Sequence, residues 1–169
     1  MHALLLSLTI AAGTINEGRP CEPEVAARGQ ADVRSIVEAV YGGDIDEVLR
    51  FTHPVVMKMA GREALRRSME QTLAGMKSAK MSIESLTFPA APVCLTVERR
   101  RFMVVPTLSV LSVAGARMES LNYQFGVLEP NEREWKYLEG SRVNNKTVHI
   151  LFPYFPRDYR FPPIYRKPI

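Results

Sequence analysis

Glu119, Tyr123 and Glu139 are the side chains of this chain best suited to acid–base chemistry. Strand registers derived below bring them to one end of a predicted sheet, next to an arginine from residues 99–101. A carboxylate in apolar surroundings with a tyrosine donor is the minimum for removing a proton beside a carbonyl. Glu139 would be the base, and Tyr123 would donate to the developing oxyanion. The simpler interpretation, which we favour, is a Glu–Arg pair between strands at the rim of the sheet.

His53 and a further group of side chains could also belong to a site. His53 could act as a general base, although a histidine before a proline more often caps a helix end. Arginines in residues 98–101 must lie on both faces of a strand, because side chains alternate, so one could bind an anion. The simpler explanation is a solvated face plus one pair with a glutamate. The candidate ligand contacts are Tyr41, Arg100, Glu119, Trp135 and Tyr137. Packing or a surface position is the simpler role of the three aromatic residues.

No metal or cofactor is expected from the sequence motifs. The chain has no Gly-rich phosphate loop, no nucleophile elbow and no cluster with metal-ligand spacing. We therefore expect neither ATP use nor serine hydrolysis nor zinc chemistry.

The positive charge is concentrated at the C-terminus. The chain carries 22 basic and 18 acidic residues, a net charge of +4. Six of the basic residues and one acidic residue lie from Arg142 onward, so the remainder is nearly neutral. A nucleic-acid binder is expected to carry its basic face on the folded domain, so we expect no nucleic-acid partner.

The N-terminus resembles a secretory signal. An apolar run from Ala3 to Ala12 is too short to span a bilayer, and Ala11 and Gly13 fit a signal-peptidase site. A buried N-terminal helix and a misplaced start codon are the alternatives. We expect a signal peptide over residues 1–13, a secreted or periplasmic protein, and no membrane span.

Cys21 and Cys94 are the two cysteines of the chain. In an exported protein an even number of cysteines permits one disulfide, here between an N-terminal arm and a strand. Two unbonded thiols, one exposed and one buried, remain the alternative at this point.

Apolar spacing predicts three helices before the strands. The second begins near Asp44 and ends before Pro54, and the third runs from about Arg62 to Lys77. Residues 55–60 between them predict a short strand. The first helix ends at Gly42-Gly43 and has on one face Val33, Ile36, Val37, Val40 and Tyr41.

Residues 82–88, 93–105 and 107–113 alternate as strands do. A turn at Ala114-Gly115 predicts a hairpin with Phe102 opposite Val127. A proline in a strand usually marks a bulge or an edge, so a bulge at Pro106 would shift the register of the residues before it.

A second turn, near Pro130-Asn131, predicts another hairpin. Its expected pairs are Val127 with Trp135, Phe125 with Tyr137, and Tyr123 with Glu139, which make one face apolar across three strands.

The last segment alternates prolines with aromatic residues. Residues 149–169 therefore favour an extended arm over a helix. Leaving so many aromatic side chains in water is costly, so we expect the arm to pack over the domain surface. An arm that docks on a partner is the alternative.

Several short stretches resemble the nuclear transport factor 2-like superfamily, whose cystatin-like cone wraps a curved antiparallel sheet around N-terminal helices. Residues 41–44 resemble its "aGD" step between two helices, and residues 52–61 resemble its "hP…G" strand. Residues 61–65 resemble the entry to its third helix, and residues 135–140 resemble the closing strand of secreted bacterial members. The resemblance covers residues 30–148.

That resemblance implies a fold more than an activity. Ketosteroid isomerase, scytalone dehydratase and SnoaL-type polyketide cyclases place acid–base side chains inside an apolar cone. The present chain departs from them because no acid follows Pro54, and His53 and His149 are its only histidines after the predicted signal.

Together these observations predict an α+β cone in which N-terminal helices pack on a strongly curved antiparallel sheet. The cone would span residues 30–148, after a loose arm at 14–29, and would form a homodimer through its sheet. The leading function is a module that binds a small apolar or amphipathic molecule. The alternatives are a cofactor-free isomerase, cyclase or dehydratase with a carboxylate base, and a protein-interaction module that uses residues 149–169.

Overall fold

In this computed structural model the described part of the chain is residues 18–169, and four helices precede all but the first of its strands. None of the helices in that range is both long and apolar enough to cross a membrane. The helices are α1 (Pro23–Gly42), α2 (Ile45–Phe51), α3 (Pro54–Ala60) and α4 (Arg62–Ser78), followed near the C-terminus by the 3₁₀ helix Gly140–Arg142 and by α5 (Val148–Leu151).

Helix α1 buries the apolar face that its residue spacing predicts. Val33 and Ile36 are buried, and Gly43 ends the helix with a φ of 78°, which glycine adopts without strain. The helix begins at Pro23, so residues 23–29 of the expected loose arm are helical. Proline suits the first helical position because the N–H it lacks would have no partner there.

Residues 55–60 were expected to form a strand, and that prediction is wrong because they form most of α3. The Nδ1 atom of His53 accepts a hydrogen bond from the backbone N–H of Val55 at 3.2 Å. Pro54 occupies the first helical position. A short apolar run fits either structure, and here the cap and the proline outweigh the strand propensity of the valines.

The strands form one antiparallel sheet that does not close on itself. Its path is β1-β3-β4-β5-β6, with β2 also paired to β4 and β7 also paired to β5. The strands are β1 (Arg19–Pro20), β2 (Met81–Thr87), β3 (Val93–Val97), β4 (Arg100–Val113), β5 (Ala116–Leu128), β6 (Lys136–Glu139) and β7 (Tyr165–Pro168).

The predicted register of the β4–β5 hairpin is confirmed, with Phe102 opposite Val127. Pro106 lies within β4 without breaking this register. One edge of β4 pairs with β3 up to Val104 and with β2 from Leu108 onward, so neither strand pairs with the edge at Pro106. A proline is tolerated there because the N–H it lacks is not needed for a ladder.

Residues 93–105 form two strands rather than the single strand expected. Glu98 and Arg99 have φ values of 48° and 68° and make the tight turn between β3 and β4. Two consecutive positive φ angles are typical of a type I′ hairpin turn, for which the usual signal is Asn-Gly. Because neither turn residue is glycine or asparagine, the sequence pattern did not predict this turn.

The β5–β6 hairpin differs from its predicted register by one residue. Phe125 lies opposite Leu138 and Gly126 lies opposite Tyr137, whereas Phe125 was expected opposite Tyr137. A shift of one residue moves every side chain of β6 to the other face of the sheet. Gly126 makes room for this arrangement, because a Cβ there would lie 3.0 Å from the Tyr137 ring and 3.3 Å from the Trp135 ring.

The helix face of the sheet, as we name it, packs against α1 and the end of α2. Its cluster is closed at one end by aromatic rings, with Phe51 and Tyr137 in an edge-to-face contact at 6.2 Å. The buried members of the cluster are Val33, Ile36, Phe51, Met103, Val105, Trp135 and Tyr137.

The opposite arm face of the sheet is covered by the C-terminal arm, residues 149–169. Phe155 is only 2% exposed, and its ring lies 5.1 Å from that of Phe102 and 5.5 Å from that of Phe125. The expectation that the arm packs on the domain is confirmed. The expectation that it is extended throughout is wrong at its start, where residue 149 lies in α5. The buried members of this cluster are Leu95, Phe102, Val104, Tyr123, Phe125, Val127, Leu138, Val143, Val148, Phe152, Phe155 and Tyr159.

Cys21 and Cys94 form a disulfide across 73 positions of the sequence. The bond joins the segment before α1 to β3, and both side chains contact the helix-face cluster. The sequence left open a disulfide or two free thiols, and the structure contains the disulfide.

Candidate functional site

Tyr123 and Glu139 are not brought together as the predicted acid–base pair. Glu139 lies opposite Gln124 and shares its face, so the side chain of Glu139 is on the helix face while Tyr123 is on the arm face. The Tyr123 hydroxyl donates to the carbonyl of Val143, and burial raises its pKa far above the usual value of 10.0. A shift of one residue in the β5–β6 register thus removes the geometric basis of the pair, and the roles of both residues stay predictions.

Glu139 is exposed at the end of β6. Its Oε1 atom lies 3.5 Å from the Asn122 amide nitrogen, and its Oε2 atom lies 3.9 Å from Nε of Arg142. Both contacts are at the long limit of their type, so the carboxylate is held loosely at the surface.

His53 is buried beside a half-buried ion pair formed by Arg100 and Glu129. Its Nε2 atom lies 3.4 Å from Oε1 of Glu129 without hydrogen-bond alignment, and Arg100 Nε donates to Oε2 of Glu129 at 2.8 Å. The other imidazole nitrogen caps α3. Burial lowers the pKa of His53, and the attraction of Glu129 opposes that shift only in part. The Nδ1 atom is hydrogen-bonded, whereas the buried Nε2 atom has no hydrogen-bond partner among the described residues.

The C-terminal arm covers His53 and contacts Arg100. The ring of Phe152 meets that of His53 edge to face at 5.5 Å, and the Arg100 guanidinium lies 5.8 Å from the centre of the Tyr154 ring. Access to the imidazole is blocked, since His53 is 5% exposed. The Glu–Arg pair proposed as the simpler role of Arg100 is present. His53 does cap a helix, but it caps the N-terminus of α3 and not, as was expected, the end of the helix before Pro54.

Tyr137 is held by a carboxylate that the sequence analysis missed. Its hydroxyl donates to Oδ2 of Asp32 at 3.0 Å, while Arg28 Nε donates to Oδ1 of Asp32 at 2.8 Å. Burial and the neighbouring Asp32 charge raise the pKa of Tyr137 well above 10.0. Asp32 lies within the buried face of α1, and an acid on an otherwise apolar helix face was the signal that could have identified it.

The remaining candidate contacts lie apart from one another. Glu119 pairs with Lys167 at 2.9 Å and accepts a hydrogen bond from the Tyr165 hydroxyl at 2.9 Å, so it ties β7 to β5. Trp135 is buried in the helix-face cluster. Tyr41 is half-buried near the end of α1, where burial raises its pKa and the charge of Arg166 opposes the shift.

The buried side chains described above that could take part in acid–base chemistry make hydrogen bonds within the fold. Within residues 18–169, His53, Tyr123 and Tyr137 each direct their polar atoms at a neighbouring protein group. That part of the chain also has no group of three His, Cys, Asp or Glu side chains placed to hold a metal ion. Such an arrangement can support packing and pH-dependent stability. Among the described residues, the buried atoms Nε2 of His53 and Nδ1 of His149 have no hydrogen-bond partner.

A cleft in the C-terminal arm was missed by the sequence analysis. It has a volume of about 490 Å³ and is lined by Asn145 and residues 157–161. A turn forms its wall, with the Tyr159 N–H donating to the Pro156 carbonyl at 3.4 Å. The Asn145 amide donates to the Tyr159 carbonyl at 2.6 Å and fixes the turn to the loop after the 3₁₀ helix. The available signal was a pair of arginines, Arg157 and Arg160, inside an aromatic segment.

Comparisons with known proteins give no relative for the chain. No family model, no curated protein and no solved structure matches it. The structure defines an α+β protein with α1 and the end of α2 on one face of its sheet, and the aromatic arm together with residues of α3 and α5 on the other.

Proposed function

We propose that the chain is an exported, non-catalytic module that binds a small amphipathic molecule in the cleft of its C-terminal arm. The observation that carries this proposal is the use of the buried acid–base side chains. The Nδ1 atom of His53 and the Tyr137 hydroxyl are each hydrogen-bonded within the protein, whereas the cleft is open and lined by polar and aromatic groups. Concave sites with an apolar wall and a few polar groups are typical of small-molecule binding.

The cone of the nuclear transport factor 2-like superfamily is our proposal for the finer architecture. Helices that precede strands β2–β6, with the long β4–β5 hairpin at the centre of the sheet, support the proposal. The homodimer expected with that cone stays a prediction, and native mass spectrometry of the purified protein would test it.

Export is supported by the Cys21–Cys94 bond, since disulfides persist mainly in oxidising compartments. The signal peptide predicted over residues 1–13 lies outside the described residues. Mass analysis of protein secreted with its own N-terminus would test both, and we expect cleavage near Gly13.

A cofactor-free isomerase, cyclase or dehydratase is the second candidate, and one observation favours it. Glu139 is an exposed carboxylate with only long contacts, so a substrate could reach it. Glu139→Gln separates the two candidates. If Glu139 is a base, turnover collapses while ligand affinity survives; for a binding module, the substitution changes neither.

The direct test is titration of the purified protein with small amphipathic molecules, read by native mass spectrometry and calorimetry. We expect one molecule per chain, with Glu139→Gln binding as the parent does. A protein that binds none of them, or that turns one over, would contradict the proposal.

A further inference from the structure

We infer that the cleft recognises an organic anion, with Arg157 and Arg160 holding a carboxylate or phosphate-ester group and Phe161 contacting the apolar part. This inference rests on the proposed binding function and names the chemical class of the ligand.

Arg157 and Arg160 are exposed guanidinium groups without a protein partner. Within residues 18–169, neither makes an ion pair, a side-chain hydrogen bond or a contact with an aromatic ring. Arg100 and Arg117, by contrast, are each paired with a glutamate at 2.8 Å. Guanidinium groups match the planar geometry of carboxylate and phosphate oxygens, so two unpaired ones beside a cleft favour an anion.

The backbone that carries the two arginines is held in place by the buried side chain of Tyr159. Tyr159 lies between them in the sequence and is 3% exposed, with its ring 5.3 Å from Phe155 and 4.9 Å from Phe161. The Asn145 hydrogen bond described above holds the carbonyl of Tyr159. Because the backbone that carries the arginines is fixed by the core, an anion bound there would cost little ordering of the backbone.

The cleft also has an aromatic wall. Phe161 is half-buried, and its ring contacts four core rings while the residue still lines the cleft. The ring centroids lie 5.5 Å from Tyr123, 5.6 Å from Phe155, 5.8 Å from Phe125 and 4.9 Å from Tyr159. This wall favours an anion with an apolar body over inorganic phosphate. Asp158 lines the same cleft, and its one negative charge against two arginines leaves the lining with a net positive charge.

Binding of a matched set of probes tests this inference. The probes are 1-naphthylacetate, its uncharged amide, phenyl phosphate and inorganic phosphate, each titrated into the disulfide-bonded protein by calorimetry. We expect the naphthylacetate or phenyl phosphate anion to bind roughly tenfold more tightly than the amide and inorganic phosphate, with binding weakened by salt. The stronger of the two anions then identifies the preferred head group.

The decisive variant replaces Arg157→Gln and Arg160→Gln together. We expect it to bind the anion roughly tenfold more weakly and the amide unchanged, because only the charge contact is lost. Arg67→Gln with Arg133→Gln is the matched control, since it removes the same charge from two other exposed arginines that make no ion pair or side-chain hydrogen bond within the described range. Its affinities should equal those of the parent.

Each contrary result has a defined meaning. Equal binding of the anion and the amide to the parent, or an equal loss in the control variant, overturns the inference and leaves the proposed binding function standing. Binding of neither organic probe, together with no bound molecule among other amphipathic compounds, overturns both.

Discussion

The two faces of the sheet are closed by different kinds of chain. The helix face is covered by α1, which is held there by the Asp32–Tyr137 hydrogen bond and by the Cys21–Cys94 disulfide before its first turn. The arm face is closed by a segment with little regular structure, which stacks Phe152, Phe155 and Tyr159 on the sheet. Regular structure and covalent attachment secure one face, while aromatic burial secures the other.

The comparison indicates that the C-terminal arm is part of the folded domain. An arm held by three buried aromatic rings cannot leave the sheet without exposing its apolar face. The cleft that we assign to ligand binding depends on the same rings, so its geometry is tied to the stability of the arm.

The largest effect is expected from truncating the chain after Val148. Removal of the three buried rings would expose Phe102 and Phe125, and we expect loss of cooperative unfolding in circular dichroism and calorimetry. Truncation after Pro163 is the control, because residues 164–169 are exposed, and it should fold. A stable, cooperative domain ending at Val148 would show that the arm is dispensable and favour its role as a docking segment.

Phe155→Ala should destabilise the arm face by about 3–5 kcal/mol, the usual cost of deleting a buried phenylalanine. The neighbouring Tyr154 is 53% exposed, so Tyr154→Ala should cost less than about 1 kcal/mol. Chemical denaturation of both variants measures the difference. Similar values for the two would mean that the rings of the arm do not pack as described.

On the helix face, Cys21→Ser with Cys94→Ser should lower the free energy of unfolding by about 4 kcal/mol, because the bond closes a long loop in the unfolded chain. Denaturation of the variant against the oxidised parent measures this. The reduced parent serves as control and should match the variant. An unchanged midpoint would indicate that α1 alone secures this face.

The smallest expected effect on stability is the pH dependence due to His53. This residue caps α3 and contacts Phe152 of the arm. Its pKa is lowered in the folded protein by burial and by the charges of Arg100 and Lys136, against the attraction of Glu129. Below the ordinary histidine pKa of about 6.5 the unfolded chain binds a proton that the folded protein does not. Stability should therefore fall as the pH drops from about 7 through about 6.

The variant His53→Asn isolates that dependence. Asparagine is a good helix cap and does not titrate, so the thermal midpoint should change less with pH in this range. A pH dependence equal to that of the parent would assign the effect to other groups.

Local signals in the sequence predicted much of the fold. The spacing of Val33 and Ile36 predicted the buried face of α1, and the Ala114-Gly115 turn predicted the register of the long hairpin. Both depend on neighbouring residues and a fixed period. The turn at Glu98-Arg99 escaped prediction because neither residue is a usual carrier of positive φ.

The candidate site was predicted poorly, because it depends on contacts that are distant in the sequence. The β5–β6 register is set by the ring of Tyr137 over Gly126, which pattern alone does not reveal. The cleft forms where Asn145 meets the turn at Tyr159, and it exists only when the arm is packed. An isolated glycine in β5 and two arginines in an aromatic arm were the available signals, and neither fixes a geometry.

Hydrogen exchange at single amides of the C-terminal arm tests the central claim most directly. The N–H groups of Phe152, Phe155 and Tyr159 donate to backbone carbonyls of Val148, Phe152 and Pro156. If the arm closes one face of the sheet and builds the cleft, these amides exchange as slowly as those of the buried face of α1. Exchange at the rate of an unfolded chain, with α1 still protected, would contradict the account and make the arm a free segment.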